Sequence, residues 1–491
     1  MEFKLGGSEN MNPLTDLFTN IANAIRARTG SALAITASDF PTEIANIPGK
    51  SNNECKDSVT TSDLTNAKSY LIKIGNIAAT SGTSLASYFR TNARLQEVSF
   101  YNLVNVVNMN YTFESCTALT TVSQFNAPNV TNVASVFKDC TALTTVSQVN
   151  LPSATNLNYM FQRCAALTTI SQFSAPSATT MNYMFINCSS LTTVPLFGTS
   201  SVTSMSSMFS GCSSLTAIPS FDTSSVTNMN SMFYGCTHLT TVPSLDTSKV
   251  TNMSSMFQNC TGLVTAPQFN TFKVTNMMNM FQGCTALTTV PVLDLSAAPT
   301  MYNMFSGCTS LVTITLFNAL NEIDAGRMFY NCSSLTTVAL QNVSGTFKVS
   351  SMTYMFYNCS SLTTVPILDT SSVTSMSYVF YGCSSLVTAP LFDTSITTNM
   401  SYMFYGCAAL TTVPVLNTAK VTSMQNMFNR PRNLSTTSLD NILGMCASSR
   451  ISSSSYKKLS SVGLRTSDYP SVDFTTLSNY QAFINAGWSL S

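Results

Sequence analysis

Along the middle of the chain apolar residues recur about every third position, and the pattern then repeats as a block. One block opens at Cys212 and continues through Leu215, Ile218, Phe221, Val226, Met229, Met232 and Phe233; Ser, Thr, Asn and Asp fill most of the gaps before Cys236. This is neither the period of two of a strand nor a sustained helical 3.6. A chain that coils around its own axis, with short strands and tight corners, produces such spacing. One coil cannot bury its apolar side alone, so it must stack on its neighbours.

The cysteines fix the length of the block. Of 15 in the chain, ten from Cys116 to Cys332 stand 24 residues apart; a step of 27 reaches Cys359, and two more of 24 reach Cys383 and Cys407. Phe lies three residues before each, and this column extends to Phe89 and Phe428, where Asn92 and Pro431 take the cysteine slot. Leu lies three residues after each slot, from Leu95 to Leu434. A fixed period in this range means a solenoid. The reading is one right-handed parallel coil of about 15 turns over 81–434, with three extra residues near Ser344–Phe347. At about 4.8 Å per turn it is a rod of about 70 Å.

Within a block, Leu-Thr-Thr-Val-Pro reads as one short strand and Val-Thr-Asn-Met as another, while Met-Phe-x-Gly-Cys reads as a helical or 3₁₀ turn. Proline recurs from Pro195 to Pro414. It cannot donate to a ladder, so its slot is expected at a strand end. The fold class is a repeat solenoid of short parallel β-strands and short helical turns, with small α-helical caps at both ends. The expected boundaries are a helical module over 1–50, a linker and start of the solenoid cap over 51–80, the solenoid over 81–434, and a helical cap over 435–491 with helices at Ser438–Cys446 and Thr475–Ala486.

The strings Cys-Ser-Ser-Leu-Thr-Thr-Val-Pro (188–195, 359–366) and Val-Thr-Asn-Met-x-x-Met-Phe-x-x-Cys (226–236, 250–260) resemble the BspA-type bacterial leucine-rich repeat. That resemblance covers about 350 residues and implies a leucine-rich-repeat-like solenoid that serves as an adhesin or interaction surface without catalysis. The stretch Leu14–Gly30, followed by Ile35-Thr36-Ala37-Ser38-Asp39-Phe40-Pro41, is similar to short N-terminal modules of phage tail and other virion proteins. Read from the residues alone, Leu14, Leu17, Phe18, Ile21 and Ile25 form one stripe of an amphipathic helix, suited to docking on a larger assembly or to capping the rod. The opening Met1–Gly7 lacks the apolar stretch of a secretory signal. The expectation is therefore a phage virion protein, a tail-fibre, baseplate or head-fibre component made in a host cytoplasm, that displays the solenoid for host attachment. The alternative is a bacterial cell-surface adhesin of the same repeat family; a glycan-cleaving solenoid enzyme comes third. The expected partners are other virion proteins, through the N-terminal module, and a bacterial surface glycan or protein receptor. A homo-oligomer stays open.

Composition narrows the chemistry. Charged residues are 9% of the chain and net charge is +1, which removes the basic face that nucleic acid requires. No apolar run reaches the roughly 20 residues of a membrane span. The single histidine, His238, leaves little for a triad or a His-rich metal site, and the seven glutamates lie mostly outside the repeats. The cysteine column reads as buried free thiols, there being no C-x-x-C to nucleate zinc. The methionine column from Met160 to Met427 reads as flexible filler and not as a copper site. Asn or Asp stands ten residues after the cysteine in 11 of 13 turns, as at Asn126, Asp222 and Asp369. Because Asn serves as well as Asp, the column reads as Asx-turns, ahead of calcium or catalysis. No cofactor, metal or catalytic residue is assigned.

One signal is uneven along the rod. Two residues before the cysteine the slot holds Glu114, Lys138, Gln162, Ile186 and Ser210 early, then Tyr330, Tyr357, Tyr381 and Tyr405; five before it stand Tyr354, Tyr378 and Tyr402. Three residues apart on a helical turn, the columns would share one face. They are expected as two adjacent exposed rows, a candidate binding face. The paired threonines of the first strand are the other candidate.

Overall fold

The computed structural model describes residues 83–490 apart from 101–102, 299, 318–320, 342–346 and 430, together with the strand segments 55–56, 59–60, 73–74 and 77–78. The expected N-terminal module, its docking stripe Leu14, Leu17, Phe18, Ile21 and Ile25, and most of the insertion near Ser344 lie outside the described residues.

The rest is a parallel coil. Each described strand pair is parallel and joins successive turns, most of them about one block apart, as Thr145 on Thr121 and Thr169 on Thr145, with a shorter step at Cys55 on Lys73. One sheet runs from Thr169–Ser174 back through Thr145–Asn150, Thr121–Asn126, Glu97–Phe100 and Lys73–Ile74 to Cys55–Lys56, so the ladder continues into 51–80. A second strip is a chain of single parallel bridges, Asn108 to Asn132 to Asn156 and onward to Asn276. A third strip is made of turns.

Proline decides where the first strip is a true strand. The expectation placed its slot at a strand end. In Thr121–Asn126, Thr145–Asn150 and Thr169–Ser174 that slot is the third of six residues, and it holds Ser123, Ser147 and Ser171. Where Pro195, Pro219 and Pro243 occupy it, the regular ladder is gone; it returns at Thr313–Phe317 and Thr337–Gln341, whose slots hold Thr315 and Ala339. Proline supplies no amide, so it cuts the ladder in mid-strand.

The third strip is not the helical turn that the sequence suggested. In Met181–Cys188 the amides of Met184, Ile186 and Cys188 bond three residues back, to the carbonyls of Met181, Tyr183 and Phe185. The amides of Tyr183, Phe185 and Asn187 bond across to Ser206, Met208 and Ser210 of the next turn at 2.7–2.9 Å. Tyr183 (φ 59°) and Asn187 (φ 60°) are left-handed, as the third residue of a type II turn must be. Two such turns in tandem give every second amide to the neighbour, where a helix would keep all of them. The slot before the cysteine accordingly holds Asn or Gly in most turns, as at Asn259 (φ 62°) and Gly283 (φ 74°), residues that tolerate the left-handed region.

The core is built from columns. Fifteen phenyl rings from Phe89 to Phe428 stack in unbroken sequence, with centroids 5.3–5.8 Å apart and planes within 14°. Complete regular turns number about 11, fewer than expected. The end turns keep the phenyl without the cysteine, and the turns beside the 27-residue step depart from the pattern. Each thiol from Cys116 to Cys407 is buried and free. Each donates to the phenylalanine carbonyl of the preceding turn at 3.0–3.2 Å, as Cys116 to Phe89 and Cys284 to Phe257. The column is thus a ladder of weak donors as well as filler.

The C-terminal end is closed by the helix Thr436–Ser448, N-capped by Ser435, and by a shorter helix than expected, Tyr480–Asn485. The Ser438 hydroxyl accepts from the Val413 amide at 2.9 Å. The amides of Asn426 and Phe428 bond to the carbonyls of Ser461 and Val462, at 2.7 and 2.9 Å, in place of a further turn. Gly463 (φ 88°) lies so close to Phe428 that a Cβ would meet its carbonyl oxygen at 1.8 Å.

Two outcomes follow from the columns. Phe257 is fully buried between Phe233 and Phe281, so Phe257→Ala should lower unfolding free energy by about 3–5 kcal/mol in denaturant titration. A loss below about 1 kcal/mol would contradict a packed column. Burial also pushes the thiols of Cys116, Cys236, Cys284, Cys332 and Cys407 up to about 12, from 9.0 when exposed. A raised thiol keeps its proton in the folded state, so its contribution is whole below pH 9 and declines between about 9 and 12. Each such thiol removes up to about 1.4 kcal/mol per pH unit in that window. The melting temperature should be level from neutrality to about pH 8.5 and fall steeply above it; a level profile through pH 11 would sink the assignment.

Candidate binding surface

The outward positions are mostly occupied with holding the coil together. Thr144 donates its hydroxyl to the Thr120 carbonyl at 3.0 Å, Thr168 to Thr144 at 3.1 Å and Thr179 to Thr155 at 3.2 Å. Similar bonds recur in other Ser and Thr columns, as Ser384 to Ser360 and Thr394 to Asn417. In these turns the first threonine of the pair has its hydroxyl proton already engaged, while the second, as at Thr145 and Thr169, is exposed.

The Asn/Asp column forms Asx-turns, as its interchangeability implied. Asp222 accepts from the Ser224 amide at 3.0 Å and from its hydroxyl at 2.7 Å, and Asp246 and Asp393 accept from the Ser248 and Ser395 amides at 2.9 Å. These bonds, the Ser224 hydroxyl first for Asp222, hold the carboxyls below their ordinary value. Among the described residues no three His, Cys, Asp or Glu side chains gather to hold a metal. His238 is exposed, with Nδ1 2.7 Å from the Ser213 carbonyl oxygen. Among the described residues no helix is long and apolar enough to cross a membrane.

The turn strip changes character along the rod. In the first turns Glu114 lies between Arg90 and Lys138, the latter at 2.9 Å. In the middle Gln258 donates to Gln282 at 2.8 Å. At the C-terminal end the two tyrosine columns come together. Tyr330, Tyr357, Tyr381 and Tyr405 stack at 4.8, 4.5 and 4.8 Å; Tyr354, Tyr378 and Tyr402 stack at 4.7 and 4.7 Å. The columns touch at a tilt, Tyr354 on Tyr357 at 5.7 Å and 51° and Tyr402 on Tyr405 at 5.8 Å and 49°. Arg327 closes one end, 5.7 Å over Tyr330 and 5.1 Å over Tyr354, and Asn426 donates to the Tyr402 hydroxyl at 3.2 Å at the other.

All seven tyrosines that the sequence singled out are thus assembled, with one correction. They are half-buried, not exposed rows, because each ring covers its neighbour's face. They share a strip because the columns fall in successive type II turns, Tyr354 being left-handed at φ 60°. What remains open is a comb of ring edges and hydroxyls. Burial first, then the neighbouring phenols, raises Tyr357 and Tyr378 above the ordinary tyrosine value, so both stay protonated at neutrality.

Sequence reasoning missed an aliphatic stripe on the strand strip of the same end. Ile367, Leu391 and Val415 are 82%, 74% and 64% exposed in three consecutive turns. Each follows the mid-strand proline, at Pro366, Pro390 and Pro414, and that Pro-aliphatic pair was the available signal.

Because the stacks are part of the packing, Tyr357, Tyr381 and Tyr405 changed together to Ser should cost about 1.5–4.5 kcal/mol. That is three stacks at about 0.5–1.5 kcal/mol each. The same three changed to Phe should stay within about 0.5 kcal/mol of the parent. Denaturant titration of both variants checks this; equal stability of the two would mean that the rings do not support one another.

A family model described as "Mycoplasma protein of unknown function, DUF285" matches residues 83–195, 192–265, 240–343, 265–367 and 342–442. No curated protein matches. Among solved structures, a leucine-rich repeat protein from Bacteroides ovatus is 18% identical over 70% of this chain and 82% of its own, with a TM-score of 0.41. A leucine-rich cell surface protein from Faecalibacterium prausnitzii is 18% identical over 70% and 82%, at 0.32. A leucine-rich repeat protein from Eubacterium ventriosum is 17% identical over 68% and 90%, at 0.31. The likeness lies in the repeat coil, and nothing about ligand or partner follows from it. The family match starts at residue 83 and leaves the expected virion-type module outside it. Matched over most of its length, by repeats that overlap from 83 to 442, the chain belongs to the DUF285 family.

Proposed function

We propose that the chain is a non-enzymatic binding rod that acts at a bacterial surface and contacts a protein receptor through the tyrosine comb. The observation that carries the reading is the comb itself, seven tyrosines in two stacked columns between Arg327 and Asn426. A uniform solenoid has no packing need for tyrosine there, since Ser210 and Ser306 fill the same slot elsewhere. Aromatic residues with polar tips suit contacts that are part dry and part wet. Stacking covers the ring faces inside the columns, so hydroxyl donors and ring edges meeting the carbonyls of a protein favour a protein partner over a glycan. The family is bacterial by its description, which supports the adhesin reading. The virion reading drew on residues 1–50, outside the described residues, and stands behind it.

Full-length protein carrying a fluorophore should bind bacterial cells in flow cytometry. The triple Tyr357→Phe, Tyr381→Phe, Tyr405→Phe variant, which keeps the stacks, should bind at least about tenfold more weakly, a loss of about 1.4 kcal/mol. Binding should change little between about 0.05 and 0.5 M salt, the comb being nearly uncharged. Unaltered binding by both the Phe and the Ser variants would move the contact away from the comb.

A further inference from the structure

At the last turn the inter-turn ladder lacks a rung, and a cavity lies at it. In most turns the amide that opens the turn strip bonds to a carbonyl of the next turn, as Met253 to Asn276 at 3.0 Å, Met376 to Asn399 at 2.8 Å and Met400 to Ser423 at 2.9 Å, Met277 and Met352 being exceptions inside the coil. In the last turn the cap supplies carbonyls to Asn426 and Phe428, but among the described residues nothing accepts from the Met424 amide. The Thr422 carbonyl likewise receives no protein donor, whereas Thr398 accepts both the amide and the hydroxyl of Thr422, at 2.8 and 3.1 Å. Met424 is buried and has the cap, not a further turn, beside it, and a buried amide left without a partner costs free energy.

Between this broken rung and the cap is a cavity of about 170 Å³, more than ten times the roughly 10–15 Å³ that one water needs. Met424, Ile451 and Val462 give it an apolar floor, and Tyr456 stands at its rim, 54% exposed. The side chains of Gln425, Ser452 and Ser461 line it and make no hydrogen bond among the described residues. No lining side chain is charged.

We infer that this cavity binds one ring of a neutral, hydroxyl-rich ligand, a monosaccharide free or at the end of a glycan. A sugar hydroxyl oxygen accepts from the Met424 amide, its neighbours meet Ser452, Ser461 and Gln425, the C–H face lies on the apolar floor, and Tyr456 covers the edge. An anion would find no cation there, and a wholly apolar molecule would leave the amide and hydroxyls unpaired. The site is separate from the tyrosine comb and does not depend on it.

The test is saturation-transfer NMR on the full chain with glucose, galactose and N-acetylglucosamine, each free and as the terminal unit of a trisaccharide, and with glucuronate as the charged control. At least one neutral sugar should receive saturation, and the bound form should slow hydrogen exchange at the Met424 amide at least about tenfold. Binding through the trisaccharide as well as the free sugar identifies glycan ends as the source; binding of the free sugar alone identifies a soluble ligand. Ser461→Leu, which fills the cavity, should abolish transfer, and Tyr456→Ala, at an exposed rim that cannot threaten folding, should weaken it at least about tenfold. The triple Tyr357, Tyr381, Tyr405→Phe variant should bind the sugar as the parent does. No transfer to any neutral sugar, transfer that survives both cavity substitutions, or equal binding of glucuronate would each overturn the assignment.

Discussion

Every second amide of the turn strip bonds to the turn that follows, so a turn has its backbone satisfied only when a neighbour of the same shape lies against it. From this the rest follows. The donors and acceptors must meet at one spacing, which holds the block at 24 residues. Equivalent residues then fall on one another, so each inward slot becomes a column. A phenyl ring finds its best neighbour in another phenyl, offset and nearly parallel. A thiol fits beside the phenylalanine backbone carbonyl of the preceding turn, to which it donates weakly. Stability is then the sum of similar interfaces between turns.

The same stacking accounts for the composition. A charge on one turn is repeated on the next, and like charges directly opposite destabilise a sheet. Stacked charges are tolerated where the sign alternates, as in Arg90, Glu114 and Lys138. Elsewhere the outward slots hold Ser and Thr. Their hydroxyls add a second bond to carbonyls that already accept a backbone amide, as Thr192 to Thr168 and Thr216 to Thr192, both at 3.3 Å. A chain with 9% charged residues is what a tall stack of near-identical turns requires.

Much of this was legible in the sequence because the period is exact to the residue. The Cys, Phe and Leu columns, the parallel coil and the Asx-turns all rest on spacing or on residue interchange, and spacing survives any local conformation. What spacing could not convey was the backbone between the columns. Met-Phe-x-Gly-Cys has the apolar pattern of a short helix, and the left-handed slots that make it two type II turns are betrayed only by Asn187, Gly211 and Gly235 in register. Proline at 195, 219 and 243 marks a strand that its own ring has interrupted. The tyrosines were located correctly as a patch, but their burial depends on ring stacking between turns, which no single block contains.

Uniformity also explains where specificity can arise. In the interior each slot is answered by the same slot above and below, and a column that departs from filler, like the tyrosine comb, does so against the grain of the repeat. At the C-terminal end the answer comes from a different structure. The cap matches the Asn426 and Phe428 rungs and the Val413 edge, through Ser461, Val462 and Ser438, and leaves the Met424 rung unmatched. The amide of Tyr402 bonds to the carbonyl of Gln425, so the comb ends where the cavity begins. The coil thus places its two irregular surfaces one turn apart, at the one boundary where turn geometry no longer dictates which residue must stand there.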